Sequence, residues 1–580
     1  MRAMEKAGRD NTTETSTPAL GRRPKTARSV VAGCSHAVCA ISFLLLASGA
    51  LAGEQAALTV LFTSDMHAHV LPFDDVRERP SAGSIAQAAT VIARVRRENP
   101  RTVVLDGGDI IEGTPLNYYA IVAPGAPGED PTIAAMNLIA YDGAVLGNHE
   151  FNFGLAVLAR SLAQATFPWL AANLDGARQA GLPVLPELVL TRGGVKIGVL
   201  GLTNPNVPHW DPAGHWQGLK FADPVVVARE HIATLRPRVD VLIVVLHAGF
   251  ERDLSSGAPN GSDEENFAWR VAQLDGIDLL LTGHTHRNLA PQRLGKTVIA
   301  QPGRWAEFVT RVDLALARYG RHWRVGGWHG ENIATVDAAA DTRVLAAAES
   351  AHRRAVAELS RPLGQLTAPL RVSSLPVGDD ASVDLIHAVQ LEASGAQLSL
   401  AAPLGMRVEF PPGPLTPRLA YALYPYANTL VVVRLTGREL RDVLEHAVRG
   451  WIGLDCSPPP PCALIRDPSL PPYNFDSLEG ATYLVDPTAP VGQRIHGLRV
   501  AGRVVAAEDS FTVAINSYRA SGGGGFPHLV AAPRVAQSDT PMVELLVAYF
   551  TRHSTLTPAT DDNWAFTVPL REIAAPAQPH

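Results

Sequence analysis

Between Leu58 and Val336, short runs of Val, Ile and Leu recur, and each stops abruptly at a polar cluster. "LTVLFTSD" stops at Asp65, "RTVVLDGGD" at Asp109, "GAVLGNHE" at Asn148 and His149, "KIGVLGLTN" at Asn204, "VDVLIVVLHAG" at His247, and "IDLLLTGHTH" at His284 and His286. Apolar runs of this length without alternation predict strands buried on both faces. Stretches of helical periodicity, such as "GSIAQAATVIARVRREN" and "LAVLARSLAQA", lie between them. Strands alternating with helices predict an α/β layered domain over 53–340, with functional groups just beyond the carboxyl ends of the strands.

The pattern then changes. "DTRVLAAAESAHRRAVAEL" (Asp341–Leu359) predicts an Ala-rich helix stopped by "SRPLG", which places a linker at 341–365. From 366 to 570 the pattern is mixed. "SVDLIHAVQLEA" and "TGRELRDVLEHAV" are helical, whereas "NTLVVVRL" and "SFTVAIN" are strand-like. Residues 571–580, ending in "APAQPH", predict a disordered tail.

Composition narrows the class. A chain of 580 residues is too long for one core and predicts two domains. Hydrophobic content of 46% with 18% charged residues is globular. A formal charge of −6 argues against a nucleic-acid polymer as partner, which needs a basic face. At the N-terminus, Arg22, Arg23, Lys25 and Arg28 precede the apolar "AVCAISFLLLASGALA" (Ala37–Ala52). That layout predicts a signal peptide over 1–52, cleaved after Ala52 and too short to leave a stable membrane span. The expected location is periplasmic or extracellular, and the expected state is a monomer. Cys34 and Cys39 fall in the signal; Cys456 and Cys462, in "DCSPPPPC", are expected to pair in an oxidising compartment.

The strand ends carry the chemistry. They supply Asp65, His67, Asp109, Asn148, His247, His284 and His286. In extended backbone Asp65 and His67 face one side, and so do His284 and His286. A single strand-end histidine is more often structural. Seven residues of ligand type are different, because burying them together without a partner is costly. The Asp, His and Asn mixture suits Mn, Zn, Co or Fe, and the set holds no cysteine, which argues against a structural zinc knot. The set is too large for one ion. It predicts two divalent metal ions, the usual apparatus for displacement at phosphorus.

Taken in order, "D-x-H", "GGD", "GNHE", "H-A-G" and "GHTH" resemble the calcineurin-like metallophosphoesterases. The second domain is similar to the C-terminal domain of the exported 5′-nucleotidase superfamily. "YPYANTL", "DSLEG…YLVD…PVGQRI" and "YRASGGGGFP" look closest to the 2′,3′-cyclic-nucleotide 2′-phosphodiesterase/3′-nucleotidases. The resemblance implies a four-layer αββα sandwich, followed by a mixed α/β (α+β) substrate-binding domain. It also implies nucleotides as substrates and domain motion about the helix Asp341–Leu359. One ion would sit between Asp65, His67, Asp109 and His286, and the other between Asp109, Asn148, His247 and His284. Asp109 would bridge the two, and His149 would act as the catalytic imidazole beside Asn148.

On this reading His149 protonates the leaving ribose oxygen; the plainer alternative is a turn residue. Asn152 stands where many 5′-nucleotidases carry Asp. An amide orients the ring without supplying charge, so His149 is expected to be less readily protonated. Glu150 is given no chemical role. Tyr473, Phe475 and Phe526 are the candidates for stacking on a base. Arg407 is the candidate for phosphate or ribose, with Asn428 and Asp476 as weaker ones. Gly522–Gly525 allow close backbone approach, but no Gly-Lys-Ser/Thr follows for a triphosphate loop. The expected activity is hydrolysis of 2′,3′-cyclic nucleotides to 3′-nucleotides and then to nucleoside and phosphate. The alternatives are a 5′-nucleotidase/UDP-sugar hydrolase, a sulfur-oxidising thiohydrolase and a non-catalytic nucleotide-binding surface protein.

Overall fold

Six strands end at the polar clusters: β1 (Gln55–Thr63), β2 (Thr102–Asp106), β3 (Gly143–Val145), β4 (Val195–Leu202), β5 (Val241–Leu246) and β6 (Leu279–Thr282). The structure, a computed structural model, describes residues 54–571 apart from 263, 373–377, 458–460, 468–469 and 471. The expected signal and its cleavage point, and the tail beyond 571, lie outside the described residues.

β1, β2 and β3 run parallel in a seven-stranded sheet. Its edge is the long antiparallel hairpin Phe308–Tyr319/His322–Ala334. β4, β5 and β6 run parallel in a six-stranded sheet. The apolar runs are continuous because both faces of each sheet are covered. Val60, Phe62, Val103 and Leu105 meet Val199, Ile243, Val245 and Leu281 between the sheets. On the outer face of the first sheet, Leu61 and Val104 pack with Ile92 of helix Ile85–Glu98 and Met136 of helix Pro131–Ile139. On the other outer face, Leu242 and Val244 pack with Ile232 of helix Pro224–Leu235. The order is helix, sheet, sheet, helix. Local signals agree with it: Ser84 caps Ile85–Glu98, and Asp130 caps Pro131–Ile139 by accepting from Thr132 and Ile133.

The helix Thr342–Leu359 forms where the sequence places it, capped by Asp341. It is not a free linker, however. Val344, Ala348 and Ala355 bury themselves in the outer core of the first domain. The chain first joins the second domain at Gly364–Leu366, which pairs with Gly413–Leu415 and Thr555–Leu556. The helix is therefore part of the first domain, and the chain passes to the second between Leu359 and Gly364.

The second domain is built on a five-stranded sheet in the order Ser477–Glu479, Leu398–Ala401, Ser510–Asn516, Thr429–Thr436, Arg534–Pro541. One face packs on helices Ala381–Ser394, Pro417–Leu423 and Met542–Arg552. The other packs on Gly437–Ala447, whose Thr436 and Glu439 form a capping box. A disulfide joins Cys456 and Cys462 at the end of a hairpin. The domains touch through Tyr118 and Tyr119 against Tyr421, and through the Arg418–Glu78 ion pair at 3.3 Å. Among the described residues no helix is long and apolar enough to cross a membrane.

Candidate active site

The polar clusters converge where the two sheets end side by side. Their backbone is not extended. Asp65, His67, Asp109, His284 and His286 all have positive φ, between 46° and 71°. The same-side expectation for Asp65/His67 and His284/His286 fails for that reason in the second pair. His284 turns toward Asp109 and His247, and His286 toward Asp65 and His67. Two groups result, Asp65–His67–His286 and Asp109–His247–His284; within each, the ligand atoms lie within 4.8 Å of one another. Asp109 stands between them, with Oδ2 3.0 Å from His247 Nε2 and 4.0 Å from His67 Nε2. Asn148 joins the second group through Oδ1, 2.9 Å from His284 Nδ1.

Each side chain is aimed by a further partner. His247 Nδ1 donates to the Gly107 carbonyl at 2.6 Å, which leaves Nε2 with its lone pair facing inward. His67 Nδ1 lies 3.2 Å from the Glu112 carbonyl and 3.3 Å from its carboxylate, so its Nε2 faces inward too. His284 Nε2 meets Glu265 at 2.9 Å. Glu150, fully buried, accepts four backbone N–H groups: Asp109 at 2.8 Å, Ile110 at 2.6 Å, Ile111 at 3.3 Å and Gly147 at 2.6 Å. It staples the Asp109 loop to the "GNHE" loop. Gly147 must be glycine, because a Cβ there would collide with the Asp109 carboxylate.

The arrangement fits a pair of divalent cations. His247 Nε2 is buried and has no hydrogen-bond partner, although Asp109 Oδ2 is 3.0 Å away. The two atoms converge on a common point and do not point at one another. His67 Nε2 and His286 Nε2 lie 3.0 Å apart and hydrogen bond to one another, close enough to share an ion. Imidazole nitrogens mixed with carboxylate and amide oxygens suit ions of intermediate hardness. Without cations, protons take their place. Burial pulls His247 down, but the Asp109 and Asp65 carboxylates outweigh it and raise its pKa to about 10. Burial works against Asp109 as well, and the surrounding histidines still hold its carboxyl well below the usual range.

His149 lies beside this set, its backbone N–H donating to Asp109 Oδ1 at 2.8 Å. Its Nδ1 is 2.6 Å from Asn152 Oδ1 and 3.5 Å from Glu112. Without cations the ring takes up a proton readily even with an amide at position 152. Burial lowers the pKa, but Asp109, Glu112, the Asn152 bond and Asp211 raise it to about 9. Glu112 and Asp211 supply the charge that position 152 lacks; bound cations would act in the opposite sense.

In the second domain the structure redistributes the candidates. Phe475 and Phe526, 5% and 3% exposed, are core residues and offer no free face. Phe475 packs between Trp451 and Trp564, and Phe526 lies against His446 and the Arg519 guanidinium. Asp476 is committed to a buried pair with Arg519 at 2.8 Å, and Asn428 to the Tyr424 hydroxyl at 3.2 Å. Arg407 lies in left-handed backbone near Arg466, and its charge pulls the Arg466 pKa down, as burial does more strongly. Tyr473 does face the first domain. Burial raises its pKa, and it feels Glu265 and Arg304 across the cleft. The available aromatic faces are Tyr426 and Tyr518, 47% and 38% exposed. Tyr426 feels Arg304 and Arg77, and Tyr518 feels Glu265. Tyr426 sits inside "YPYANTL" and Tyr518 inside "NSYRASGGGGFP", whereas Tyr473, Phe475 and Phe526 were the expected stacking residues. Glu112, Asp211, Glu265 and Arg304 carried no sequence signal beyond their type. Arg304 lies over the Trp305 ring at 3.9 Å, and the Trp305 N–H donates to the Asp65 carbonyl at 2.8 Å.

Comparison with known proteins places this geometry. Residues 58–288 match the calcineurin-like phosphoesterase family, and residues 356–531 match the 5′-nucleotidase C-terminal domain. The chain belongs to the calcineurin-like phosphoesterases that carry a 5′-nucleotidase C-terminal domain, and is a metal-dependent phosphoric ester hydrolase. It is 29% identical to a Salmonella typhimurium 2′,3′-cyclic-nucleotide 2′-phosphodiesterase/3′-nucleotidase, over 87% of this chain and 88% of that one. It is 28% identical to the trifunctional nucleotide phosphoesterase protein YfkN of Bacillus subtilis, over 89% of this chain but 39% of that longer relative. A Staphylococcus aureus structure assigned as a 5′-nucleotidase, in complex with alpha-ketoglutarate, superposes with a TM-score of 0.76 at 25% identity. It covers 88% of this chain and all of its own.

Proposed function

We propose that this protein is an exported dimetal phosphohydrolase. It opens 2′,3′-cyclic nucleotides to 3′-nucleotides and then removes the 3′-phosphate to release nucleoside. One observation carries the reading: two ligand groups share Asp109 at the strand ends, and Tyr426, Tyr473 and Tyr518 line the facing side of the same cleft. Asp65, His67, Asp109 and His286 would hold one cation, and Asp109, Asn148, His247 and His284 the other. The chemistry supplied by the bound pair is neutralisation of phosphate charge and a more acidic water. The chain's own residues do the rest. Tyr426 and Tyr518 hold the base, which is sequence-tolerant and suits varied nucleobases. His149 Nε2 delivers a proton to the departing ribose oxygen as the P–O bond breaks. Arg304 adds positive charge beside His286. The names of the relatives support the cyclic and 3′-nucleotide substrates, and the expected signal supports export.

A 5′-nucleotidase reading remains the second choice, because it is the assignment of the Staphylococcus aureus structure. A panel of 2′,3′-cAMP, 3′-AMP, 5′-AMP and UDP-glucose, with Mn and after chelation, separates the two. Turnover of 2′,3′-cAMP and 3′-AMP that disappears on chelation is expected. Phosphate release from 5′-AMP alone would overturn the proposal.

A further inference from the structure

Asn152 has two ends of opposite character, and each meets a different partner. Its Oδ1 lies 2.6 Å from His149 Nδ1, and its Nδ2 donates to Asp211 Oδ1 at 2.9 Å. An amide is ordinarily ambiguous about which end is which. Here the carboxylate decides. Asp211 accepts and cannot donate, so only Nδ2 can face it. Oδ1 must then face His149. That end accepts only, so His149 Nδ1 must carry the proton. The Glu112 carboxylate, 3.5 Å from the same nitrogen, acts in the same sense. Nε2 is left as the free nitrogen of a ring whose side chain is 35% exposed.

Asp211 is itself held firmly. Its N–H donates to the Val207 carbonyl at 2.9 Å, and its carbonyl accepts from Trp216 Nε1 at 3.2 Å. His215 Nδ1 approaches Oδ1 at 3.5 Å, and the Asp211 side chain is 6% exposed. Its second oxygen, Oδ2, is buried without a partner. Such an oxygen is costly to keep unless the carboxylate is needed on its other side.

We propose that Asp211 is a positioning residue for the reaction. Through the Asn152 amide it keeps one proton on His149 Nδ1, so that Nε2 is the nitrogen that gives up its proton and is aimed at the leaving oxygen. This rests on the phosphohydrolase reading above. When the phosphorus–oxygen bond breaks, its electron pair goes to the leaving oxygen, which takes the Nε2 proton of the doubly protonated ring and leaves His149 as the neutral Nδ1–H tautomer, while the oxygen of water bonds to phosphorus and gives its proton to solvent. Asn152 and Asp211 are then a matched pair. A carboxylate at 152 alone would face the Asp211 carboxylate at 2.9 Å, and an amide at 211 alone would free the Asn152 amide to turn over.

The test uses the full chain with Mn and three variants: Asp211→Asn, Asn152→Asp, and the double swap. The substrates are a simple alkyl phosphate and p-nitrophenyl phosphate, whose leaving group departs without protonation. Asp211→Asn should lower kcat for the alkyl ester by roughly 10- to 100-fold, with KM nearly unchanged, and should hardly affect the nitrophenyl ester. The double swap should recover most of that loss, whereas Asn152→Asp alone should not exceed Asp211→Asn. Ring ¹⁵N spectra of histidine-labelled protein, recorded at a pH where the ring is neutral, should show His149 as the Nδ1–H tautomer in the wild type and as a mixture in Asp211→Asn. Equal losses on both esters, no recovery in the double swap, or unchanged ring spectra would overturn the proposal. The spectra need no turnover. A wild type that cleaves no nucleotide would therefore defeat the proposed function and leave the positioning role to be decided by the spectra.

Discussion

Replacing Glu150 by Gln should damage the site more than any other change that leaves the expected ligands untouched. The carboxylate is fully buried, and each oxygen accepts two backbone N–H groups: Oε2 from Asp109 and Gly147, Oε1 from Ile110 and Ile111. Burial and the neighbouring Asp109 carboxylate raise its pKa, while the N–H groups oppose them. Four donors leave no place for a proton, so the ionised form is the one the fold holds. Gln keeps one oxygen and turns an NH2 toward two N–H donors. Two charge-assisted bonds are lost, at about 1.5–3 kcal/mol each, or roughly 3–6 kcal/mol before the loops relax. That is a large share of a domain's net stability of about 5–15 kcal/mol. The strain falls on the loops that carry Asp109 and Asn148. Calorimetric titration of the chelated protein with Mn should therefore show affinity reduced by roughly 10- to 100-fold, as for other residues that orient metal ligands. Thermal unfolding of the same sample should show an earlier transition. Wild-type affinity together with an unchanged melting curve would refute the stapling role.

Two further outcomes follow from side chains outside the ligand set. His387 is buried between Ser399 Oγ at 2.8 Å and Ser477 Oγ at 3.0 Å, and burial pushes its pKa down to about 3. The folded state keeps it neutral while the unfolded chain takes up a proton below about pH 6.5, so its contribution is complete above that pH and is lost on acidification. At pH 4.5 the loss is about 2–3 kcal/mol, and His387→Gln should flatten the acid limb of unfolding free energy against pH; an identical slope would exclude this histidine. Tyr426→Ala and Tyr518→Ala should each raise KM for nucleotides by the equivalent of roughly 1–3 kcal/mol and leave p-nitrophenyl phosphate turnover alone; equal losses on both substrates in steady-state assays would assign these rings to packing.

The pattern of apolar runs was enough to read the layered first domain, because a strand covered on both faces must be apolar throughout and its end is marked by the first polar cluster. Asp65, Asp109, Asn148, His247, His284 and His286 were legible for the same reason. Backbone conformation was not. Positive φ at Asp65 and His286 depends on how two sheets meet, and the modest local preference of Asp and His for that region is too weak to mark these positions in the sequence. Aromatic residues showed the same limit. Phe526 and Tyr518 lie in one motif, and only burial tells the core residue from the cleft residue. Asp211 was invisible because it is 59 residues from its partner and sits in a short irregular segment. The helix Thr342–Leu359 was legible as a helix, but its apolar stripe of Val344, Ala348 and Ala355 belongs to the first domain, so the connection between the domains is shorter than its sequence suggested.

The left-handed residues carry a cost that bound cations should help to offset. Asp65, His67, Asp109, His284 and His286 each hold a conformation unfavourable by about 1–2 kcal/mol for a residue with a side chain. Five of them approach the net stability of a domain. Cross-links between the loops offset part of this: Asp65 N–H to Gly108 O, His67 N–H to Asp109 O and Ala68 N–H to Ile110 O, all at 2.9 Å. His284 N–H donates to Asp65 Oδ1, also at 2.9 Å. The β1 and β2 loops are thus laced backbone to backbone, whereas the β6 loop is tied to them through side chains, the Asp65 carboxylate and His67. Chelation should therefore loosen the three loops unequally. Hydrogen exchange should accelerate most at His284–His286 and least at Asp65–Ala68, while the strand β5 behind them stays protected. Uniform acceleration across all three loops, or none at the β6 loop, would show that the strain is met without cations and that the loops are not coupled through Asp65.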